Sequence, residues 1–412
     1  MIINPGSSRL HASTIAIPDP GPLTRYIDDS AAAFMRGADG FVALGEIARM
    51  EGHDMAEADA WWAEFSAKVE NETEMPGRFG TGPLAYGAFV YDKHANTEPV
   101  FVVPEIIIGR RDGVSWITQL GYDRVNPEMP PRQPVPQAPQ GLYFEDGEVS
   151  GADWLNLVAH ASERLQHGDA ERVVLARDLE AIAGTEISMA WILHQWLLNY
   201  GGCTCYLVDD AVGATPDVML RRQGGLTTSR VLAGGLERLG SVENQARIAT
   251  LLSSVERMHQ HRLAVEASST ALRPYFTGMH VPEAPLVSTL PDMLYLATDI
   301  CGVAHPGISA LGLAAALHPL ASVVGSPSTR AQRIIAEEEH LERGHFTAPV
   351  GWIDAQGDGE WFVSQRTVHR HEPRTELTMY ASASVSATTL PHNKLVSTEM
   401  KFAQMRQILR GQ

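Results

Sequence analysis

The pattern of hydrophobic and polar positions predicts a chain that mixes helices and strands from one end to the other. Apolar residues recur at helical spacing in several segments, which places them on one face of a helix. The predicted helices run over Ala56 to Val69, Ala152 to Leu165, Ser188 to Asn199, Val242 to Leu272 and Ala331 to Leu341. Short runs rich in β-branched residues predict strands at Leu84 to Tyr91, Pro99 to Ile108, Val114 to Gln119, Arg172 to Ala176, Thr204 to Val208, Val218 to Arg221, Thr227 to Leu232, Gly351 to Ile353, Glu360 to Gln365 and Glu376 to Ala383. Strands separated by long helices favour an α/β fold, in which helices cover large sheets on the outside.

One proline-rich segment, Pro127 to Pro139, interrupts this pattern. Each proline lacks a backbone donor and fixes its own φ, so the segment cannot form a helix or a central strand. It is predicted to be a linker or an exposed crossing after the N-terminal third of the chain.

Composition narrows the class of protein. The chain has 412 residues, of which 44% are hydrophobic and 20% charged, values typical of a globular protein. Its formal net charge of −17 would repel a polyanion, which argues against nucleic acid as a partner. No apolar run approaches the roughly 20 residues that span a membrane, and the N-terminus lacks the pattern of a secretory leader. A cytoplasmic protein without membrane contact is expected.

Lysine is scarce, which excludes catalysis by a lysine amine from most of the chain. No lysine lies between Lys93 and Lys394, so that stretch cannot form a Schiff base or supply an amine base. The three cysteines lack the paired spacing of a structural zinc site and are expected to be buried thiols.

Glycine-rich turns at strand ends are the most informative local signals. They lie at Gly213 to Asp217, at Leu232 to Gly235, and at Gly351-Trp352 followed by Gly357 to Glu360. Each could bring backbone donors close to a ligand, and each could equally be a simple turn between strands. None identifies a function by itself.

The order of these motifs resembles one family, the chorismate-utilising enzymes, and most of all the isochorismate synthases of the menaquinone type. The matching segments are VVLAR at Val173 to Arg177, GATPD at Gly213 to Asp217, LAGG at Leu232 to Gly235, LLSS from Leu251 with the later His261, LHP at Leu317 to Pro319, Arg343-Gly344, PVGW at Pro349 to Trp352 and GDGEW at Gly357 to Trp361. The resemblance implies two packed β-sheets flanked by outer helices, with a magnesium-assisted site between the sheets. It also implies that residues 146–412 form the chorismate-binding core and that an N-terminal lobe, residues 1–145, contributes to the same unit.

The two residues that should transfer protons are both substituted. The family's water-activating lysine corresponds to Arg172, and arginine stays protonated in proteins, so it cannot act as that base. The family's acidic glutamate corresponds to Asp217, which keeps a carboxyl group but retracts it by about one bond, and a shift near 1 Å can cost on the order of a hundredfold in rate.

The positions of the family's magnesium ligands have also lost their carboxylates. The three glutamates correspond to Gln260, Lys394 and Ser397. Because magnesium prefers charged oxygen ligands, no metal or other cofactor is expected. Displaced carboxylates at Glu256, Glu337 or Glu399 are the alternative source of ligands.

The remaining substrate-binding positions are partly substituted and partly retained. Gly235 replaces a threonine, Phe346 a tyrosine, and Ser382 and Ser384 replace glycines of the carboxylate pocket. The retained residues are Gly234, His261, His318, Glu360, Arg366, which pairs with a substrate carboxylate in the family, and Lys401.

Two functional hypotheses follow. The first is an isochorismate synthase of a menaquinone or siderophore pathway, working with a rearranged site. The second is a pseudoenzyme, which binds a small carboxylate or another anion without metal or has a regulatory role. The oligomeric state stays open.

Overall fold

The computed structural model describes residues 9–52, 54–238, 244–290 and 293–411. Helices and strands are numbered separately in chain order. The helices within these ranges are α1 (Met55–Ser66), α2 (Gly151–Gln166), α3 (Met189–Asn199), α4 (Asn244–Ser253), α5 (Val255–Leu272), α6 (Ala310–Leu317), α7 (Ala321–Val324), α8 (Ser328–Glu338) and α9 (Pro391–Leu409).

The strands form two large sheets. Sheet 1 contains β1 (Leu10–Ile17), β2 (Ala32–Arg36), β3 (Asp39–Leu44), β5 (Val69–Thr73), β8 (Ile106–Arg111), β9 (Val114–Gly121), β10 (Tyr143–Asp146), β11 (Arg172–Ile182), β12 (Thr204–Val208), β13 (Ala211–Thr215), β19 (Gly325–Ser326), β22 (Val368–His371) and β23 (Glu376–Ser386). Sheet 2 contains β4 (Ala48–Arg49), β6 (Leu84–Ala88), β7 (Val100–Val103), β14 (Leu220–Gln223), β15 (Leu226–Glu237), β16 (Phe276–His280), β17 (Leu286–Thr289), β18 (Met293–Ala304), β20 (Pro349–Asp354) and β21 (Gly359–Val363).

Each sheet combines strands from both ends of the chain. Sheet 1 runs in the order β10-β11-β23-β22-β13-β12-β2-β3-β8-β9-β1-β5, with β19 paired to β11. Sheet 2 runs β16-β18-β15-β14-β21-β20-β6-β7-β4, with β17 paired to β18. The pairs β12–β2 and β20–β6 join strands on either side of residue 145. The N-terminal third is therefore built into both sheets.

The two sheets pack face to face through large aromatic side chains. Phe41 of sheet 1 meets Trp352 of sheet 2 edge to face, with ring centroids 5.7 Å apart, a favoured geometry for aromatic pairs. Both residues belong to one buried apolar cluster that also includes strands of both sheets and helices α1, α2 and α6. The predicted α/β fold of two packed sheets with outer helices is confirmed.

Two predicted elements prove to be composite. The strand predicted over Pro99 to Ile108 is wrong, because the chain leaves sheet 2 after β7 and enters sheet 1 at β8. Pro104 lies at this crossing, where it need not donate a ladder hydrogen bond. The single helix predicted over Val242 to Leu272 is also broken, since the side chain of Ser254 accepts a hydrogen bond from the Arg257 amide and starts α5. Residues 242 and 243 lie outside the described part.

The proline-rich segment forms neither helix nor strand between β9 and β10, as predicted. It lies along the N-terminal region, where the Gln133 amide donates to the Arg25 carbonyl and the Arg132 guanidinium donates to the Pro20 carbonyl at 2.8 Å. Cys203 and Cys205 are buried thiols, and Cys301 is partly buried.

Candidate active site

A cavity of about 470 Å³ opens between the two sheets. Its floor comes from β11 and β23 of sheet 1, and the opposite side comes from β15 and β18 of sheet 2. Helices α5 and α9 cover the cavity from the outside. Helix α5 belongs to the first half of residues 146–412, and α9 belongs to the second half. The site therefore depends on both sheets and two helices.

Most of the residues that sequence analysis selected converge on this cavity. Those that line it are Arg172, Asp217, Gly234, Gly235, Gln260, Phe346, Arg366, Ser382, Ser384, Lys394, Ser397 and Lys401. Alternation along β23 explains part of the convergence, because Ser382 and Ser384 are two residues apart and so point to the same face.

Three of the selected residues are not among the lining side chains. His318 follows α6, and burial lowers the pKa of its imidazole to about 4. His261 is a buried residue of α5 whose Nε2 lies 2.8 Å from the Thr298 hydroxyl. Glu360 forms ion pairs with Arg111 and Arg221. His318 is absent from the cavity lining, and the substrate contact that the resemblance implied for it stays a prediction.

Arg172 is a buried cation that forms no ion pair within the described part of the chain. Its side chain is held by the Ala321 carbonyl at 2.7 Å and by the Ser384 hydroxyl at 3.4 Å. Only 7% of the residue is exposed, and burial lowers the pKa of the guanidinium to about 10. Because a pKa of about 10 is still well above neutral pH, Arg172 keeps its positive charge, and it presents that charge to the cavity.

Asp217 is a buried acid with one oxygen still available. The Gln365 amide donates to Oδ2 at 2.9 Å, whereas Oδ1 is buried and has no hydrogen-bond partner among the described atoms. Burial raises the pKa of this carboxyl from 3.8 to about 7, although the charge of Arg366 and the Gln365 hydrogen bond both act to lower it. Asp217 can therefore hold or release a proton near neutral pH.

The helices contribute a different set of side chains. Lys394, Ser397 and Lys401 recur at helical spacing on α9, so they share the face that lines the cavity. The Lys401 ammonium donates to the Ser382 carbonyl at 2.6 Å. On α5 the Gln260 amide donates to the Glu256 carboxylate at 3.1 Å.

Magnesium, which the family resemblance implies, does not fit this donor set. Gln260 and Ser397 are neutral and Lys394 is cationic, whereas magnesium requires negatively charged oxygen ligands. Within the described part of the chain no group of three acidic, histidine or cysteine side chains could hold a metal ion. The absence of a bound cofactor in the native protein stays a prediction.

The alternative carboxylates, Glu256, Glu337 and Glu399, do not form a magnesium site in place of the three lost glutamates. Glu337 pairs with Arg164 and Glu399 pairs with Arg177, both outside the cavity lining. Glu256 does line the cavity, one helical turn before Gln260. A single exposed carboxylate is a poor substitute for three.

Sequence reasoning missed several residues of the lining. Tyr200 and Tyr295 supply aromatic surface, and the Arg257 guanidinium donates to the Gly235 carbonyl. Their only available signal was proximity to recognised motifs, because Arg257 lies between LLSS and His261 in the sequence. With these included, the lining carries the basic residues Arg172, Arg257, Arg366, Lys394 and Lys401 against the acidic residues Asp217 and Glu256.

Comparison with known proteins places the chain in a family. The family model described as chorismate binding enzyme matches residues 26–410. The chain belongs to the chorismate binding enzymes. One relative of this family, isochorismate synthase DhbC from Bacillus subtilis, is 32% identical over 336 residues, which make up 78% of this chain and 80% of the relative. The predicted relation to chorismate-utilising enzymes close to the isochorismate synthases is confirmed.

Two solved structures share the fold. MenF, the menaquinone-specific isochorismate synthase from Escherichia coli, superimposes with a TM-score of 0.81 at 17% identity and covers 97% of this chain and 94% of its own. Anthranilate synthase component I from Streptococcus pneumoniae gives a TM-score of 0.70 at 18% identity, with 98% and 94% covered. No helix in the described ranges is long and apolar enough to cross a membrane.

Proposed function

We propose that this protein binds chorismate, or a small ring carboxylate like it, in the cavity between the sheets without magnesium. Named relatives of the chain are isochorismate synthases, which supports a ligand of this class. The substituted donor set supports a loss of the magnesium-dependent reaction. Arginine and lysine side chains hold the ligand carboxylate directly in place of a metal ion.

The observation that carries this proposal is the buried charge of Arg172, which has no carboxylate partner among the described residues. An isolated charge in a protein interior costs several kcal/mol unless an opposite charge compensates it. A carboxylate bound in the cavity would supply that compensation, and a guanidinium can hold it through two parallel hydrogen bonds. Arg172 thus supports anion binding at the position where the family resemblance placed a base.

The charge of the lining favours the same class of ligand. Its basic residues outnumber its acidic ones, although the whole chain has a formal net charge of −17. A local positive region inside an acidic protein concentrates small anions at the cavity. Polyanions would still be repelled by the outer surface.

A second candidate, residual isomerase activity, is favoured by Asp217 alone. Because the pKa of this carboxyl lies at about 7, the group can donate a proton to a departing hydroxyl near neutral pH, as a general acid must. Arg172 supplies no base for the attacking water. Any turnover would therefore be slow and independent of magnesium.

Product analysis separates the two candidates. The purified protein is incubated with chorismate, once with magnesium and once with a chelator, and isochorismate is quantified by chromatography while binding is followed by calorimetry. We expect chorismate to bind equally in both samples with no magnesium-dependent product. Magnesium-dependent formation of isochorismate at several turnovers per second, or the absence of any carboxylate binding, would overturn the proposal.

A further inference from the structure

The turn between β21 and β22, residues 364–367, brings two polar side chains to the cavity. Gln365 and Arg366 both line it, and both act on Asp217, one through a hydrogen bond and the other through its charge. Arg366 has a φ of +44°, in the left-handed region that residues other than glycine rarely adopt. Such a backbone conformation is strained and persists only where surrounding contacts impose it.

Three hydroxyl groups beneath the turn form a closed set of hydrogen bonds, here called the hydroxyl triangle. The Tyr206 hydroxyl lies 2.5 Å from the Ser364 hydroxyl and 2.7 Å from the Thr367 hydroxyl. The Ser364 and Thr367 hydroxyls are themselves 2.7 Å apart. All three residues are buried. Because each hydroxyl can donate one hydrogen bond and accept another, the triangle ties the first and last residues of the turn together.

Helix α3 holds the same turn from the other side. The Trp196 indole donates to the Arg366 carbonyl at 3.0 Å, and the Arg366 guanidinium lies 5.1 Å from the centre of the Tyr200 ring. Trp196 and Tyr200 are four residues apart, so they occupy the same face of the helix end. A guanidinium over an aromatic face gains further stabilisation when water is excluded.

Gly213 explains how the tyrosine of the triangle reaches its place. A Cβ atom added at Gly213 would lie only 2.2 Å from the Tyr206 hydroxyl oxygen. The glycine of the GATPD motif, which lies within β13, is therefore needed to leave room for the buried tyrosine.

We propose that the hydroxyl triangle and the Trp196 indole are positioning elements, which hold Arg366 in its left-handed conformation so that its guanidinium acts on Asp217 and on a bound carboxylate. The effect on the bound carboxylate rests on the proposed function. The effect on Asp217 does not, because it exists in the protein without ligand.

The variant Tyr206→Phe tests this proposal because it removes the hydroxyl and keeps the ring. Tyr26→Phe is the matched control, since it also removes one buried tyrosine hydroxyl, which donates to the Pro20 carbonyl far from the cavity. The carboxyl signal of Asp217 is titrated by ¹³C NMR in the absence of ligand and assigned with Asp217→Asn. If Arg366 moves away, its charge stabilises the ionised carboxyl less, so the pKa of Asp217 should rise in Tyr206→Phe by about half a unit or more and stay unchanged in Tyr26→Phe.

A double-mutant cycle separates positioning from general loosening. In a Gln365→Ala/Arg366→Ala background, Tyr206→Phe should cause no further change in the pKa of Asp217. Trp196→Phe should reproduce the Tyr206→Phe effect, and chorismate affinity should fall about threefold or more in each single variant.

Two results would overturn the positioning role. One is an equal pKa of Asp217 in Tyr206→Phe and Tyr26→Phe, and the other is a shift that persists in the Gln365→Ala/Arg366→Ala background. If the native protein binds no carboxylate, the proposed function fails by itself, and the titration of Asp217 still decides the positioning role.

Discussion

The cavity has two walls of different character. The strand wall consists of Arg172, Asp217 and Arg366, which lie on a strand of sheet 1 or in turns at strand ends. The helix wall consists of Gln260 on α5 with Lys394 and Ser397 on α9. Arg172 and Asp217 are 7% and 2% exposed, whereas all three residues of the helix wall are partly exposed.

Because the two walls differ in burial, we expect substitutions on them to affect ligand binding to different degrees. On the strand wall, loss of water shifts the pKa of both Arg172 and Asp217, so small changes there alter charge and binding strongly. On the helix wall, solvent screens the one charge, that of Lys394, so a single substitution there is expected to have a modest effect. We propose that the helix wall governs which ion can enter the cavity and that the strand wall governs how firmly an anion is held.

The largest expected effect concerns the strand wall and the pH dependence of stability. Because the pKa of Asp217 is raised from 3.8 to about 7, the folded state binds this proton more tightly than the unfolded state. Stability is therefore lost as the pH rises from about 4 to about 7, and above pH 7 the full cost applies, roughly 4 kcal/mol at most. Asp217→Asn removes this cost.

Chemical denaturation of the native protein and of Asp217→Asn between pH 4 and pH 8 measures this difference in the free energy of unfolding. The variant should gain relative to the native protein as the pH rises, with the difference levelling off above pH 7. Denaturation curves that stay parallel across this range would mean that Asp217 is not perturbed, and the two walls would then not differ in the way described.

The next effect concerns Arg172 and the affinity for a carboxylate. Arg172→Met should weaken chorismate binding by about 10- to 100-fold, because it removes a charge-assisted contact in a buried setting. Calorimetry provides the affinity. Arg124→Met is the matched control, since Arg124 is exposed and pairs with Glu72 on the surface; an equal loss in both variants would remove Arg172 from the account.

A smaller effect is expected on the helix wall. Lys394→Gln should weaken chorismate binding less than about fivefold, because solvent screens a partly exposed charge. The same calorimetric titration gives the ratio. A loss as large as that of Arg172→Met would show that the helix wall holds the anion equally firmly and would erase the distinction.

Sequence analysis predicted the architecture of the fold and many of the residues that line the cavity. It predicted the burial and the protonation of those residues less well. The order of motifs was enough to predict that Arg172, Asp217, Arg366 and Lys401 share one cavity, because a shared fold brings matching motif positions together in space. The pattern of hydrophobic positions could not show that the chain changes sheets at Pro104, since β7 and β8 are both apolar runs.

Other features could not be predicted because they arise only from packing. The helix α9 was missed, since its outer face carries the exposed apolar residues Val396 and Met400, which blur the helical repeat. The protonation behaviour of Asp217 depends on burial by distant segments and on Gln365. That Arg172 has no carboxylate partner within the described ranges likewise becomes visible only when its neighbours in space are known.

The central claim, anion binding without magnesium, is tested most directly by the dependence of chorismate affinity on magnesium concentration. The engineered variant Gln260→Glu/Lys394→Glu/Ser397→Glu serves as the positive control, because it returns three carboxylates to the helix wall. For the native protein we expect the dissociation constant of chorismate to stay the same from a chelated sample to 10 mM magnesium. That concentration is about ten times the dissociation constant of a weak divalent-cation site. For the variant we expect binding to strengthen as magnesium is added. A native affinity that rises with magnesium as steeply as that of the variant would contradict the account.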